Sequence, residues 1–192
     1  MHSIPIGYEV SATPLQIAMS YAAIANGGFM LKPYVVEKIE KHDDTIIKNQ
    51  RNTKKRVLSQ SNAEKLSLML SHTVENGSGK LANVAGWNVA GKTGTSQSAR
   101  DAWFIGFSKY YIAGVWIGYD NNTPLRGVTG GGLPADIWRT AMEEIHSNLI
   151  PTPLLTNKMH TGLGTNNIKA IGEPSSFGKS LGRFLNRLFN SN

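Results

Sequence analysis

Val89-Ala90-Gly91-Lys92-Thr93-Gly94-Thr95 is the stretch whose residue types and spacing could do chemistry, and it admits two incompatible kinds. Counted from Gly86, the string Gly86-Trp87-Asn88-Val89-Ala90-Gly91-Lys92-Thr93 satisfies the pattern of a phosphate-binding loop. Val115-Trp116-Ile117-Gly118-Tyr119-Asp120 would then stand as an apolar strand ending in a magnesium-binding aspartate. A phosphate loop must open directly into a helix whose N-terminal N–H groups face the phosphates. Here the spacer Trp-Asn-Val-Ala is strand-like, and Gly94-Thr95-Ser96-Gln97-Ser98 carries no apolar stripe on which a helix could pack. Nucleotide binding is therefore the weakest of three readings.

The other chemistry places Lys92-Thr93-Gly94 on an exposed strand beside a cleft. The Lys92 ammonium raises the local potential, which favours an anionic substrate and keeps a neighbouring nucleophile or base in its reactive ionisation state. The hydroxyls of Thr93 and Thr95 can hydrogen-bond a carboxylate, and Gly94 removes a side chain where a substrate backbone would lie along the strand. An unpaired N–H at Thr95 would serve as an oxyanion donor. As three letters the motif is weak, since an ordinary surface strand with a lysine has the same composition.

Stepping outward, the elements that must position this strand can be read from periodicity and caps. Thr13-Pro14 is an N-cap with proline at the first helical position, and Leu15 to Ala25 runs apolar almost all round before Asn26-Gly27-Gly28. A helix apolar on every side is expected to be buried. Tyr34 to Glu40 and Thr45 to Lys48, joined by Lys41-His42-Asp43-Asp44, predict a short hairpin. Ser61-Asn62-Ala63-Glu64 predicts a capping box opening a helix to about Asn76, ended by Gly77 and Gly79. Trp87 to Thr95, Asp101 to Ser108 and Tyr111 to Tyr119 predict three strands; the link at Ser108 to Tyr110 is too short for a crossover, so the last two are antiparallel, both apolar on two faces. Tyr119-Asp120-Asn121 is read as a turn and Asn121 to Leu133 as a glycine-rich loop. Pro134 leads into a helix with the stripe Ile137, Trp138, Ala141, Met142 and Ile145.

The chain has 192 residues, 40% of them apolar and 17% charged, which suits a packed α+β domain over residues 1–150. Cysteine is absent, which excludes disulfide scaffolds and thiolate chemistry. Lys and Arg exceed Asp and Glu by 20 to 13, but the excess sits at Lys41 to Arg56 and after Pro151, so no nucleic-acid groove is expected. The stretch Lys48 to Arg56 reads as a solvated loop, facing anionic polymer or lipid head groups. Residues 151–192 read as a polar linker or tail. Within it Phe177, Leu181, Phe184, Leu185, Leu188 and Phe189 recur at helical spacing beside Lys179, Arg183 and Arg187. That suggests a basic amphipathic helix, with membrane-surface contact through residues 177–190 as its functional reading. His2, His42, His72, His146 and His160 show no ligand spacing and read as ordinary histidines; neither a metal nor a cofactor is expected.

Lys-Thr-Gly is one of the signature motifs of serine β-lactamases and penicillin-binding proteins. Val89 to Ser96, Arg100-Asp101-Ala102-Trp103-Phe104-Ile105-Gly106-Phe107, Ala113 to Asp120, Val128-Thr129-Gly130-Gly131-Gly132 and Pro134 to Arg139 together resemble the C-terminal end of the transpeptidase domain of bifunctional, class A penicillin-binding proteins. Upstream, Gly7-Tyr8-Glu9-Val10, Thr13-Pro14-Leu15-Gln16 and Ala22 to Gly28 resemble both this class and the monofunctional class B enzymes, the latter somewhat more closely. The resemblance covers roughly Ile4 to Leu149. It implies a β-lactamase/D,D-transpeptidase-like fold, an antiparallel sheet flanked by helices, present here in incomplete form. It also implies peptidoglycan stem peptides as substrates, β-lactams as traps, and the outer face of a bacterial inner membrane as location. In that scheme Lys92 belongs to the positive cluster near the nucleophile, Thr93 and Thr95 hold the substrate or β-lactam carboxylate with Gly94 between them in the substrate-binding strand, and the Thr95 N–H helps polarise the scissile carbonyl.

The family places Ser-x-x-Lys and Ser-x-Asn ahead of Lys-Thr-Gly, and neither occurs before Lys92. Ser176-Phe177-Gly178-Lys179 follows the motif and reads as a chance match. The expectation is a C-terminal portion of a transpeptidase domain, inactive without its N-terminal half and prone to expose apolar surface. The alternative from a different class is a noncatalytic penicillin- or peptidoglycan-binding module that retains the cleft.

Overall fold

The computed structural model describes residues 12–36, 38–42, 46–48 and 54–154. Helix α1 spans Pro14–Ala25; the Thr13 hydroxyl accepts from the Gln16 N–H, and the Gln16 side chain accepts from the Thr13 N–H in return. This reciprocal cap is the expected start. The burial expected of α1 is not met: Ala23 is buried, but Leu15 is 57% exposed, because only the C-terminal part of the helix meets the sheet described below.

Strand β1 (Phe29–Leu31) pairs antiparallel with β4 (Lys54–Arg56), and β2 (Lys38–Glu40) with β3 (Ile46–Lys48). The expected hairpin is therefore present with strands shorter at Tyr34 to Val36, which lie outside it; residues 43–45 of its turn are outside the described residues. The reading of Lys48 to Arg56 as loop is corrected at both ends, since Lys48 lies in β3 and Lys54–Arg56 is a strand. Two of its three exposed cations are docked: Arg56 lies 4.0 Å and Lys54 5.1 Å from the Phe29 ring centroid, and the Arg56 guanidinium donates to the carbonyls of Gly27 and Leu58.

Helix α2 spans Gln60–Glu75 and its N-cap is Ser59, whose hydroxyl accepts from the Asn62 N–H. The capping box expected at Ser61 is thus displaced by two residues. Ser59 has the extended backbone a cap needs, whereas Ser61 is already inside the helix.

The site is built on one three-stranded antiparallel sheet, β5 (Ala90–Thr95), β6 (Asp101–Phe107) and β7 (Ile112–Gly118), in the order β5-β6-β7. Trp87 to Val89, expected as strand, lie before β5, where the Trp87 N–H closes a turn onto the Val84 carbonyl. Central β6 is almost wholly buried. β7 is not buried on both faces as expected: Trp116 is 43% exposed, with its indole N–H on Asp101 at 3.0 Å.

Helix α3 (Leu133–His146) covers one face of the sheet. Its buried residues are Pro134, Ala135, Trp138, Met142 and His146, so the buried stripe is rotated from the expected one and Ile137 and Ile145 sit at its margins. Trp138 packs edge-on to Phe104 at 5.2 Å and donates its indole N–H to the Ala113 carbonyl at 3.0 Å. With Val74, Ala82, Val84, Val89, Ala135 and Met142 they form the main core. Residues 151–154 run along the sheet with Leu154 buried against Ala90 and Phe107. The suggested helix and membrane contact at residues 177–190 lie outside the described residues.

Candidate active site

Strand β5 has a neighbour on one side only among the described residues, and the hydrogen-bond ladder decides which groups face its free edge. The Ser96 N–H donates to the Asp101 carbonyl at 2.9 Å, which makes 96 and 101 a hydrogen-bonded pair. In an antiparallel ladder bonded pairs alternate, so Lys92 and Gly94 bond toward β6, while the N–H and C=O groups of Thr93 and Thr95 point outward. Two outward N–H groups on an open edge can receive an extended peptide or a developing oxyanion.

Side chains alternate across the same strand, which puts Thr93 and Thr95 on the face covered by α3 and Lys92 on the opposite face. Lys92 is exposed and curls back to the free edge, where its ammonium donates to the Thr93 carbonyl at 3.0 Å. Its charge therefore lies at the outward-facing backbone despite the side chain's starting direction.

Both threonine hydroxyls are held from outside the strand. The Thr93 hydroxyl is 2.8 Å from that of Ser78, in the turn after α2. The Thr95 hydroxyl accepts from the Gly130 N–H at 3.0 Å, which occupies a lone pair and leaves its proton free to donate. Gly130 lies so close over β5 that a Cβ there would stand 2.3 Å from the carbonyl oxygens of both Gly94 and Trp103. The missing side chain of Gly94 itself faces Trp103, 3.3 Å away from where a Cβ would be.

The structure thus brings together all four sequence-expected residues, Lys92, Thr93, Gly94 and Thr95, and adds Ser78, which sequence reasoning missed, and Gly130, which it quoted for the resemblance but gave no place in the site. Ser78 reads as part of a helix end, and its flanking glycines at 77 and 79 are the only local hint of a tight turn. The phosphate-loop reading is overturned by geometry. Gly86 sits in a turn, Lys92 and Thr93 in mid-strand, and β5 is followed by a single 3₁₀ turn at Gln97–Ala99 rather than an α-helix. Tyr119 to Asn122 form a turn, as expected, closed by the Asn122 N–H on the Tyr119 carbonyl. Among the described residues no group of three or more His, Asp or Glu side chains could hold a metal.

An antiparallel sheet with helices on it and Lys-Thr-Gly along its edge is the arrangement that the sequence resemblance implies. The chain belongs to the penicillin binding protein transpeptidase domain family, whose model matches residues 1–143. Penicillin-binding protein 2a of Streptococcus pneumoniae serotype 2 (strain D39) is 34% identical over 151 residues, covering 74% of this chain and 20% of that protein. Penicillin-binding protein 1A of Aquifex aeolicus is 34% identical over 145 residues, covering 75% and 20%. The chain thus spans about a fifth of the length of these relatives. Among solved structures, the penicillin-binding protein PonA1 from Mycobacterium tuberculosis matches the fold with a TM-score of 0.66 at 24% identity, over 72% of this chain and 39% of that one. Penicillin-binding protein A from M. tuberculosis, solved as an imipenem acyl-enzyme complex, matches with a TM-score of 0.60 at 29% identity, over 70% and 31%.

Proposed function

We propose that this chain supplies the substrate-binding wall of a peptidoglycan D,D-transpeptidase site. The observation that carries the reading is the open edge of β5, with the N–H groups of Thr93 and Thr95 outward and the Lys92 ammonium beside them. A stem peptide lies along this edge. Its terminal carboxylate is held by the hydroxyls of Thr93 and Thr95 in the field of Lys92, and the carbonyl of its penultimate D-alanine accepts from the Thr95 N–H.

The reaction this wall serves is acyl transfer. A serine oxygen bonds to that carbonyl carbon, the peptide bond breaks, and terminal D-alanine leaves with the proton lost by the serine. An amine of a neighbouring stem peptide then attacks the ester, forms the cross-link and returns a proton to the serine. A β-lactam follows only the first half, since its ring nitrogen stays attached, and it remains as the acyl-enzyme. The acyl-enzyme of the similar penicillin-binding protein A supports this reading. No Ser-x-x-Lys or Ser-x-Asn precedes Lys92, so the serine and its proton-transfer partner come from polypeptide other than these 192 residues, and the chain by itself does not turn over. The reaction belongs on the outer face of the bacterial inner membrane, where the polymer is assembled.

The test is complementation. The chain is co-expressed with the N-terminal half of the transpeptidase domain of the S. pneumoniae relative, and the assembled complex is treated with a fluorescent penicillin. Labelling of the complementing half, reduced about 100-fold by Lys92→Ala, is expected. An assembled complex that binds a penicillin reversibly without acylation would replace the transpeptidase by a noncatalytic recognition module.

A further inference from the structure

Ser78 lies 15 residues before Thr93 and outside the Lys-Thr-Gly motif, yet its hydroxyl is 2.8 Å from the Thr93 hydroxyl. The turn that carries it is fixed on several sides. The N–H groups of Gly77 and Gly79 both donate to the Thr73 carbonyl, at 3.1 and 3.0 Å, tying the turn to the last turn of α2. On the other side Gly131 approaches so closely that a Cβ there would sit 2.3 Å from the Ser78 carbonyl oxygen. Helix end, turn and glycine loop therefore hold an exposed hydroxyl at one place over β5.

We propose that Ser78 is a positioning residue for the Thr93 hydroxyl; the inference rests on the reading of β5 as a carboxylate-binding edge. A threonine hydroxyl has one proton, and it serves a carboxylate only if that proton is not spent elsewhere. When Ser78 donates to Thr93, the Thr93 proton is directed away from Ser78 and toward the ligand, as the Gly130 N–H does for Thr95. The two hydroxyls are then presented as donors on the same face, one oriented by a side chain and the other by backbone. A hydroxyl pair aligned in one direction also strengthens each bond in the series.

The test uses the full chain, labelled for NMR, with benzylpenicilloate as carboxylate probe and its diester as neutral control. Wild type is expected to show carboxylate-dependent shifts at Thr93 and Thr95. Ser78→Ala is expected to weaken that affinity about 3- to 10-fold, the size of one neutral hydrogen bond. Ser78→Thr, which keeps the hydroxyl, should restore it, and neither change should affect the diester. The Thr93 χ1 coupling, single-rotamer in wild type, should average in Ser78→Ala and sharpen again in Ser78→Thr, a readout that needs no ligand. Equal affinities in wild type and Ser78→Ala with an unchanged coupling would overturn the positioning role alone. Absence of carboxylate-dependent shifts in the wild type would overturn the binding edge itself and the positioning role with it.

Discussion

His146 Nε2 lies 2.8 Å from the Ser108 hydroxyl, both groups buried, and this bond fastens the end of α3 to the β6–β7 turn. The other ring nitrogen, Nδ1, is 2.6 Å from the Met142 carbonyl. A carbonyl only accepts, so Nδ1 carries the proton and Nε2 accepts from Ser108. Ser108 in turn accepts from the N–H groups of Tyr110 and Tyr111. The Trp87 ring lies 4.2 Å and the Tyr111 ring 5.6 Å away, a neutral and largely apolar surround.

Burial in that surround lowers the pKa of His146, with the Met142 carbonyl opposing it in part. The folded value then lies below the unfolded one, near 6.5, so the stability from neutral His146 is complete above the unfolded value. It is lost as pH falls through the folded pKa. Urea midpoints measured from pH 7.5 down to 5 should fall for wild type, and the part of the slope due to this group should be missing in His146→Gln.

Gly131→Ala should lower stability by about 1–3 kcal/mol, because the new methyl would stand 2.3 Å from the backbone oxygen of Ser78. Thermal unfolding reads the loss. An unchanged midpoint would show that the loop and the Ser78 turn separate without cost.

Trp138→Ala should cost about 3–5 kcal/mol. The side chain is fully buried between α3 and the sheet. Trp138→Phe keeps much of the volume but leaves the Ala113 carbonyl without its indole donor, and should cost less, about 1–3 kcal/mol. Denaturant unfolding of the two variants separates packing from the hydrogen bond.

Ser59→Ala should destabilise by about 1 kcal/mol, the worth of an N-cap, whereas Ser61→Ala, exposed within the first turn of α2, should stay within about 0.5 kcal/mol. Equal losses, followed by circular dichroism in urea, would place the cap elsewhere.

Much of the fold could be read locally. Thr13 and Pro14 start α1 because a cap and a fixed φ act over one turn, and the short link after Ser108 forces β6 and β7 to be antiparallel because it cannot cross the sheet. Ser59 was missed because three serines or asparagines lie within four residues, and only the backbone conformation selects which one caps. The rotated stripe of α3 was missed because His146, polar by type, is buried once Ser108 and Met142 satisfy both ring nitrogens.

The candidate site divides in the same way. Lys92, Thr93, Gly94 and Thr95 were legible because they are adjacent and their chemistry depends on residue type. That Lys92 starts on the opposite face from the threonines follows from strand alternation, but that its ammonium returns to the free edge does not. Ser78 beside Thr93, 15 residues apart, and Gly130 on Thr95, 35 apart, required α2 to pack against β5 and a loop to fold back over it. Sequence by itself determined which groups this protein can offer a substrate. Tertiary structure decided which protons and lone pairs of those groups are already spent, because that depends on close contacts between segments distant along the chain.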